Sequence, residues 1–112
     1  MEIVSDPLQS QKQLLQDIKR RLSLELGARL DMVYLYGSQA RGEASPDSDV
    51  DILVVVNKGE DYAAAYDIAG QIACDLSLEY NTVVCPVIVT RREYEQQRTP
   101  FLANVRREGI VI

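Results

Sequence analysis

Apolar residues recur at helical spacing over the first quarter of the chain. From Leu15 to Leu26, leucine and isoleucine lie three or four residues apart, which is the spacing of one helix face. Pro7 suits the first position of a helix, and Gly27 is a natural stop. This pattern predicts a helix over Pro7–Leu26.

Three apolar runs bounded by turn residues predict strands over residues 31–36, 50–56 and 81–90. Because proline cannot donate a hydrogen bond to a neighbouring strand, Pro86 places the third strand at a sheet edge or at a bulge. Residues 110–112 are also apolar, and they predict a short last strand.

A second long helix is predicted over residues 61–80, where apolar side chains again share one face. Its tyrosines Tyr62, Tyr66 and Tyr80 belong to that stripe. Aromatic side chains at helical spacing are more often core residues than a stack for a nucleotide base. We therefore expect all three in the core.

Two shorter helices are predicted near the end of the sequence. Thr90 and Glu93 have the spacing of a capping box, in which each side chain bonds the other residue's backbone amide. Thr99 and Pro100 are typical of a helix start. Three apolar residues of this last helix are expected to turn inward: Phe101, Leu102 and Val105.

Helices and strands alternate in the order α-β-(short α)-β-α-β-α-α. This order predicts an α/β (α+β) fold in which one layer of sheet is covered by helices. A chain of 112 residues can bury one hydrophobic core but not two. We therefore expect a single domain over residues 1–112.

Composition narrows the chemistry more than the fold. The chain contains no histidine, which excludes the serine–histidine and cysteine–histidine catalytic arrangements and the usual zinc sites. The net charge of −5 argues against a large nucleic-acid surface. The longest apolar run, residues 52–56, is too short to span a membrane, and no signal peptide is predicted. Cys74 and Cys85 are expected to be small core residues in a reducing cytoplasm.

The clearest chemical signal lies between Gly37 and Asp51. A glycine where a strand meets a helical turn lets a ligand approach the backbone, and nearby amides with the Ser38 hydroxyl suit a phosphate. Asp49 and Asp51 start a strand two residues apart, so their carboxylates share a face with Cα atoms roughly 6–7 Å apart. Two carboxylates on one face repel each other unless they are fully solvated or a cation lies between them. Mg²⁺ binds one or two carboxylates together with phosphate oxygens.

The glycine–serine corner and the aspartate pair together are a more specific signal than either feature alone. Gly37-Ser38, ten residues and then Asp49-x-Asp51 is similar to the signature of the DNA polymerase β-type nucleotidyltransferase superfamily. The Ala-Arg-Gly at residues 40–42 and the apolar strand that follows resemble its small prokaryotic branch. The whole chain resembles the minimal nucleotidyltransferases, which often occur as antitoxin partners of all-helical HEPN-domain toxins.

The resemblance implies a small mixed sheet backed by helices and a nucleoside triphosphate as the donor. Gly37 and Ser38 would hold the β- and γ-phosphates, while Asp49 and Asp51 would bind Mg²⁺ as the catalytic residues. A hydroxyl would attack the α-phosphorus in line, and pyrophosphate would leave. We expect Gly37→Val to block the triphosphate while leaving the fold mostly intact.

Two positions stay open at this stage. Arg41 would either bind phosphate or form a surface salt bridge with Glu43 or Asp47. Active members of the superfamily carry a third carboxylate on a later strand, but residues 81–90 contain no acid. Glu79 on the preceding helix or a partner protein would supply this carboxylate, or the site would lack it.

Three functions are compatible with these residues. The first is Mg²⁺-dependent transfer of a nucleotide, AMP from ATP, onto a protein hydroxyl such as a tyrosine of a HEPN-type toxin. The second is a catalytically weak or inactive antitoxin that neutralises its partner by contact, which the missing carboxylate favours. The third, transfer to a small molecule as in aminoglycoside nucleotidyltransferases, is disfavoured because no substrate domain is present. We expect a cytoplasmic protein without a direct nucleic-acid ligand, and a homo-oligomer is left open.

Overall fold

The computed structural model describes residues 7–42 and 49–112 of the chain. Each predicted element is present, with ends within three residues of the predicted ones. The helices are α1 (Pro7–Leu26), α2 (Ser38–Arg41), α3 (Tyr62–Tyr80), α4 (Arg91–Gln96) and α5 (Pro100–Glu108). The strands are β1 (Leu30–Tyr36), β2 (Val50–Val56), β3 (Val84–Thr90) and β4 (Ile110–Val111).

The strands form one sheet in the order β3-β2-β1-β4. Strand β1 is antiparallel to both β2 and β4, whereas β2 and β3 are parallel. The predicted mixed sheet is therefore confirmed. Strand β3 lies at the edge, which confirms the placement expected from Pro86, because an edge strand tolerates a residue that cannot donate to the sheet.

Both faces of the sheet carry a hydrophobic core. Helices α1 and α3 cover one face, where Ile18 and Leu76 pack with Val54. Helix α5 contributes Leu102 to the opposite face, where it packs with Leu53. Strand β2 is consequently buried along its whole length except at Asp51, which is half-buried.

The caps of the last two helices follow the sequence pattern. The Thr90 hydroxyl accepts a hydrogen bond from the Glu93 amide at 3.1 Å, and the Glu93 carboxylate accepts one from the Thr90 amide at 3.0 Å. The Thr99 hydroxyl accepts from the Leu102 amide at 3.2 Å. These bonds satisfy backbone donors that have no partner within a helix.

The expectation that the tyrosines of α3 lie in the core is wrong for two of them. The side chains of Tyr62 and Tyr66 are 41% and 60% exposed and stack on each other with ring centroids 6.4 Å apart. Tyr80 is half-buried and donates a hydrogen bond to Asp17 on α1. The helix turns small residues toward the sheet, since Ala65 and Ala69 are buried. The buried face of α3 is formed by Ala65, Ala69, Ile72, Ala73 and Leu76, and Tyr62 and Tyr66 lie outside it.

Two further burial predictions are also corrected. Leu102 and Val105 are buried as expected, but Phe101 is 37% exposed and packs edge-on against Tyr36. One residue along a helix rotates the side chain by about 100°, so Phe101 cannot share the face of Leu102. Cys74 is exposed for the same reason, since its neighbour Ala73 faces the core.

Within residues 7–42 and 49–112, no helix combines the length and the apolar character needed to cross a membrane.

Candidate active site

Gly37 forms the corner between β1 and α2. Its backbone has φ +79° and ψ −158°, a conformation that is essentially restricted to glycine. A Cβ atom added at Gly37 would lie 2.6 Å from Oδ2 of Asp51. The chain therefore folds so that the glycine backbone lies directly against the carboxylate of Asp51, which joins the two halves of the sequence motif.

This contact contradicts the expectation that Gly37→Val would leave the fold mostly intact. Any side chain at Gly37 is strained by the positive φ and also displaces the Asp51 carboxylate. The glycine is required both by the backbone turn and by the site.

Asp51 occupies the middle of a row that crosses three strands. It is paired in register with Tyr36 on β1 and with Cys85 on β3. Asp49 precedes β2, is exposed, and has its Oδ2 atom 3.9 Å from Sγ of Cys85. The alternation along β2 puts Asp51 on the face of Leu53, the face that α5 covers farther along the strand.

Tyr36 and Cys85 were not predicted as site residues. The sequence contains no motif for either, because only the strand pairing places them beside Asp51. The prediction that Cys85 is a small core residue is also wrong, since its side chain is half-buried at the edge of this site.

The pKa values of three groups in this row are raised, first by burial and then by neighbouring negative charge. Burial, and then the charge of Asp49, raises the pKa of Asp51. Burial, and then the charges of Asp49 and Asp51, raises the pKa of the Cys85 thiol. Burial, with a contribution from Asp51, raises the pKa of Tyr36 to about 12. Among the described residues, no lysine or arginine forms a salt bridge with either aspartate.

Two carboxylates that lie close together without a cationic side chain fit a divalent cation. Asp49 is exposed, and no side chain at Gly37 covers the half-buried Asp51 carboxylate. The described segments contain no cluster of three or more carboxylate, thiol or imidazole groups with metal-binding geometry. Among the described residues, a bound Mg²⁺ would therefore take Asp49 and Asp51, and water and phosphate suit its other positions.

Ser38 and Arg41 lie at the two ends of α2, next to this corner. Ser38 is half-buried at the first position of the helix, and the Arg41 amide donates to the Gly37 carbonyl at 3.2 Å. The Arg41 guanidinium forms a salt bridge with Glu108 of α5, with Nη1 3.1 Å from Oε2. The alternative partners named from sequence, Glu43 and Asp47, lie outside the described residues.

Glu79 does not contribute a third carboxylate to the site. It lies on α3, which covers the opposite face of the sheet, and both of its oxygens accept hydrogen bonds from Nη2 of Arg21, at 3.0 and 2.9 Å. The residue that faces the aspartates from the neighbouring strand is Cys85.

Residues 12–106 match a protein-family model described as a nucleotidyltransferase domain. A relative from Methanocaldococcus jannaschii, named "Putative protein adenylyltransferase MJ0141", is 30% identical over 100 residues. The aligned region covers 89% of this chain and 96% of the relative.

Solved structures show the same fold. One described as "Structure of putative minimal nucleotidyltransferase" has a TM-score of 0.58 and 27% identity, and the match covers 90% of this chain and 94% of that one. Another, described as "Crystal structure of the toxin-antitoxin with AMP-PNP", has a TM-score of 0.60 and 22% identity, and covers 86% of this chain and 70% of that one.

The contact of Gly37 with Asp51 predicts different effects for two glycine substitutions. Gly42 also has a positive φ, +72°, but a Cβ there meets nothing within 4 Å. The free energy of unfolding of Gly42→Ala should therefore fall only by what alanine needs to adopt this backbone conformation, about 1–2 kcal/mol. Gly37→Ala should lose more, because alanine adopts the backbone conformation of Gly37 less readily than that of Gly42 and must also push the Asp51 carboxylate aside. Urea unfolding of both variants measures the difference, and equal losses would contradict the close contact.

The pKa of Asp51 predicts a pH-dependent gain in stability for Asp51→Asn. Because folding raises this pKa above its ordinary value of 3.8, the wild-type protein loses stability as the pH rises from that value through the folded-state pKa. The variant should therefore be more stable than the wild type at pH 7. The gain should disappear at low pH, where the wild-type carboxyl is protonated in both states.

Urea unfolding at several pH values measures this gain. Asp49→Asn is the matched control, because Asp49 is exposed and its removal relieves only the charge repulsion. An Asp51→Asn variant that is less stable than wild type at pH 7 would contradict the prediction.

Proposed function

This chain belongs to the nucleotidyltransferase domain family, and we propose that it transfers AMP from ATP onto a hydroxyl group of another protein. The proposal depends mainly on one observation, the contact that sets the Gly37 backbone against the Asp51 carboxylate. A triphosphate that follows the backbone at Gly37 and Ser38 would thereby reach the aspartate pair. The family match over residues 12–106 supports the reaction type.

The roles of the residues follow from their positions. Gly37, Ser38 and Arg41 would bind and orient the β- and γ-phosphates, and Asp49 and Asp51 would hold Mg²⁺ beside the α-phosphate. The metal ion, when bound, neutralises charge on the phosphates and on the departing group. A bond forms between the acceptor oxygen and the α-phosphorus while the bond to the bridging oxygen breaks, and pyrophosphate leaves with that electron pair. The hydroxyl proton passes to solvent at the exposed end of the site.

A protein acceptor suits the open end of this site. Asp49 is exposed, and the buried residues of α5 pack with Leu53 and Val55, farther along β2 than Asp51. The relative named protein adenylyltransferase and the toxin–antitoxin structure with AMP-PNP point in the same direction. A tyrosine of a HEPN-type toxin is the acceptor that we propose. Cytoplasmic location, the absence of a nucleic-acid ligand and the oligomeric state stay predictions.

One observation favours a second candidate function, neutralisation of a partner by contact alone. Cys85 stands opposite Asp51, where a carboxylate would give a cation a third ligand from this chain. A thiol with a raised pKa is a poor ligand for Mg²⁺. A weak metal site would leave a slow enzyme or an inactive antitoxin, and experiment can separate the two.

The Asp49→Asn/Asp51→Asn double variant tests the catalytic proposal. Wild type should bind ATP in the presence of Mg²⁺ and add the mass of AMP to a co-expressed partner, whereas the double variant should lose both properties. Removing both carboxylates should weaken Mg²⁺-dependent ATP binding at least tenfold, because they are the metal ligands that the proposal assigns to this chain. Calorimetry and mass spectrometry of the partner measure the two effects.

The outcome separates the two candidate functions. If the double variant still protects cells from a co-expressed toxic partner, and no AMP is found on that partner, neutralisation by contact is established. Loss of protection together with loss of the AMP adduct would establish transfer.

Cys85→Asp should complete the metal site. A third carboxylate beside Asp49 and Asp51 increases charge repulsion in the metal-free protein, so its unfolding temperature should fall by a few degrees. Mg²⁺ should restore the loss, and the metal-induced rise in unfolding temperature should be larger than in wild type. Thermal unfolding with and without Mg²⁺ measures this effect, with Cys74→Asp on the exposed face of α3 as the control. An identical response to Mg²⁺ in Cys85→Asp and wild type would refute it.

A further inference from the structure

An ion pair joins the candidate phosphate-binding corner to the last helix. Nη1 of Arg41 lies 3.1 Å from Oε2 of Glu108, and both side chains are partly exposed, 40% and 31%. Arg41 is one helical turn from Gly37 and donates its amide to the Gly37 carbonyl. The carboxylate of Glu108 therefore lies beside the group that would bind a triphosphate.

The position of Glu108 is fixed by the framework of the fold. It is the last residue of α5, whose Leu102 and Val105 are buried in the core. The next residue, Gly109, donates its amide to the Val105 carbonyl at 2.7 Å. Ile110 then pairs with Leu35 of β1, two residues before Gly37. The carboxylate thus approaches Arg41 from a rigid segment rather than from a loose chain end.

We propose that Glu108 competes with the phosphates of the nucleotide for Arg41. This inference rests on the proposed function, because it requires a triphosphate at Gly37 and Ser38. A guanidinium binds carboxylate and phosphate with the same planar set of donors, so one anion displaces the other. Nucleotide binding would exchange Glu108 for phosphate as the partner of Arg41.

The competition makes Glu108 a residue that sets nucleotide affinity. Arg41 must give up its ion pair with Glu108 when it binds phosphate. The free energy of that ion pair is therefore subtracted from the binding energy that Arg41 supplies. Exposed ion pairs contribute little energy, so the reduction should be modest. Removing the Glu108 charge should strengthen nucleotide binding, which is the reverse of what loss of a positioning residue would do.

A double-mutant cycle tests the competition. Calorimetry with ATP and Mg²⁺ compares wild type, Glu108→Gln, Arg41→Gln and the double variant. We expect Glu108→Gln to bind ATP about two- to fivefold more tightly than wild type, which is the range of an exposed ion pair. Arg41→Gln should bind less tightly, and in that background Glu108→Gln should lose most of its effect. Raising the salt concentration should shrink the gain from Glu108→Gln.

The controls separate this inference from the proposed function and from general effects of charge. Glu95→Gln breaks an exposed pair with Arg91, 2.9 Å long, at another place in the fold, and it should leave ATP affinity unchanged. Glu108→Ala repeats the test without an amide that could still accept from Arg41. Thermal unfolding confirms that each variant folds.

Three results would overturn the inference. Unchanged or weaker ATP binding in Glu108→Gln, while wild type binds ATP with Mg²⁺, refutes the competition and leaves the proposed function standing. An equal gain in both Arg41 backgrounds assigns the effect to bulk charge and also refutes it. A wild-type protein that does not bind ATP at all refutes both the proposed function and the competition.

Discussion

The close approach of Gly37 to Asp51 is the constraint on which the candidate site depends. One residue comes from the corner after β1 and the other from the start of β2, and the antiparallel pairing of these strands brings them together. A side chain at Gly37 would occupy the space of the carboxylate. The site therefore requires both the strand register and a residue without a Cβ atom. In the proposed function, this close approach would bring a bound phosphate next to the Asp51 carboxylate.

Strand β2 provides the rigidity that this arrangement needs. It is central in the sheet and buried on both faces, so its register cannot slip without exposing valine and leucine to water. The same burial raises the pKa of Asp51 at the end of the strand. The Asp51 carboxylate thus lies where burial makes its charged form less favourable than in the unfolded chain. Such a local loss of stability is common where a ligand later supplies the compensating charge.

The balance between catalysis and binding depends on the strand next to the aspartates. The structure places Cys85 opposite Asp51, while Glu79 is engaged with Arg21 on the other side of the sheet. This chain therefore offers a cation two carboxylates among its described residues. The family membership and the protein adenylyltransferase relative support the proposed transfer, whereas a site with two carboxylates would suit a slow enzyme or an inactive antitoxin.

The sequence by itself determined the elements and the residue types of the site. Periodicity and turn residues are local signals, and they predicted the bounds of α1 and β2 and the capping box at Thr90. The alternation of side chains along a strand predicted that Asp49 and Asp51 share one face, although β2 begins only at Val50. The fold class followed from the order of the elements and from the resemblance to the family, and the mixed sheet confirms it.

Only the tertiary structure decided which distant residues meet. Arg41 pairs with Glu108, 67 residues away, and Tyr36 and Cys85 join Asp51 through strand register. The exposure of Tyr62 and Tyr66 was likewise decided by which side of α3 faces the sheet, which helical periodicity does not fully specify. Contacts between residues far apart in sequence depend on packing geometry, and a single sequence has no local pattern that records it.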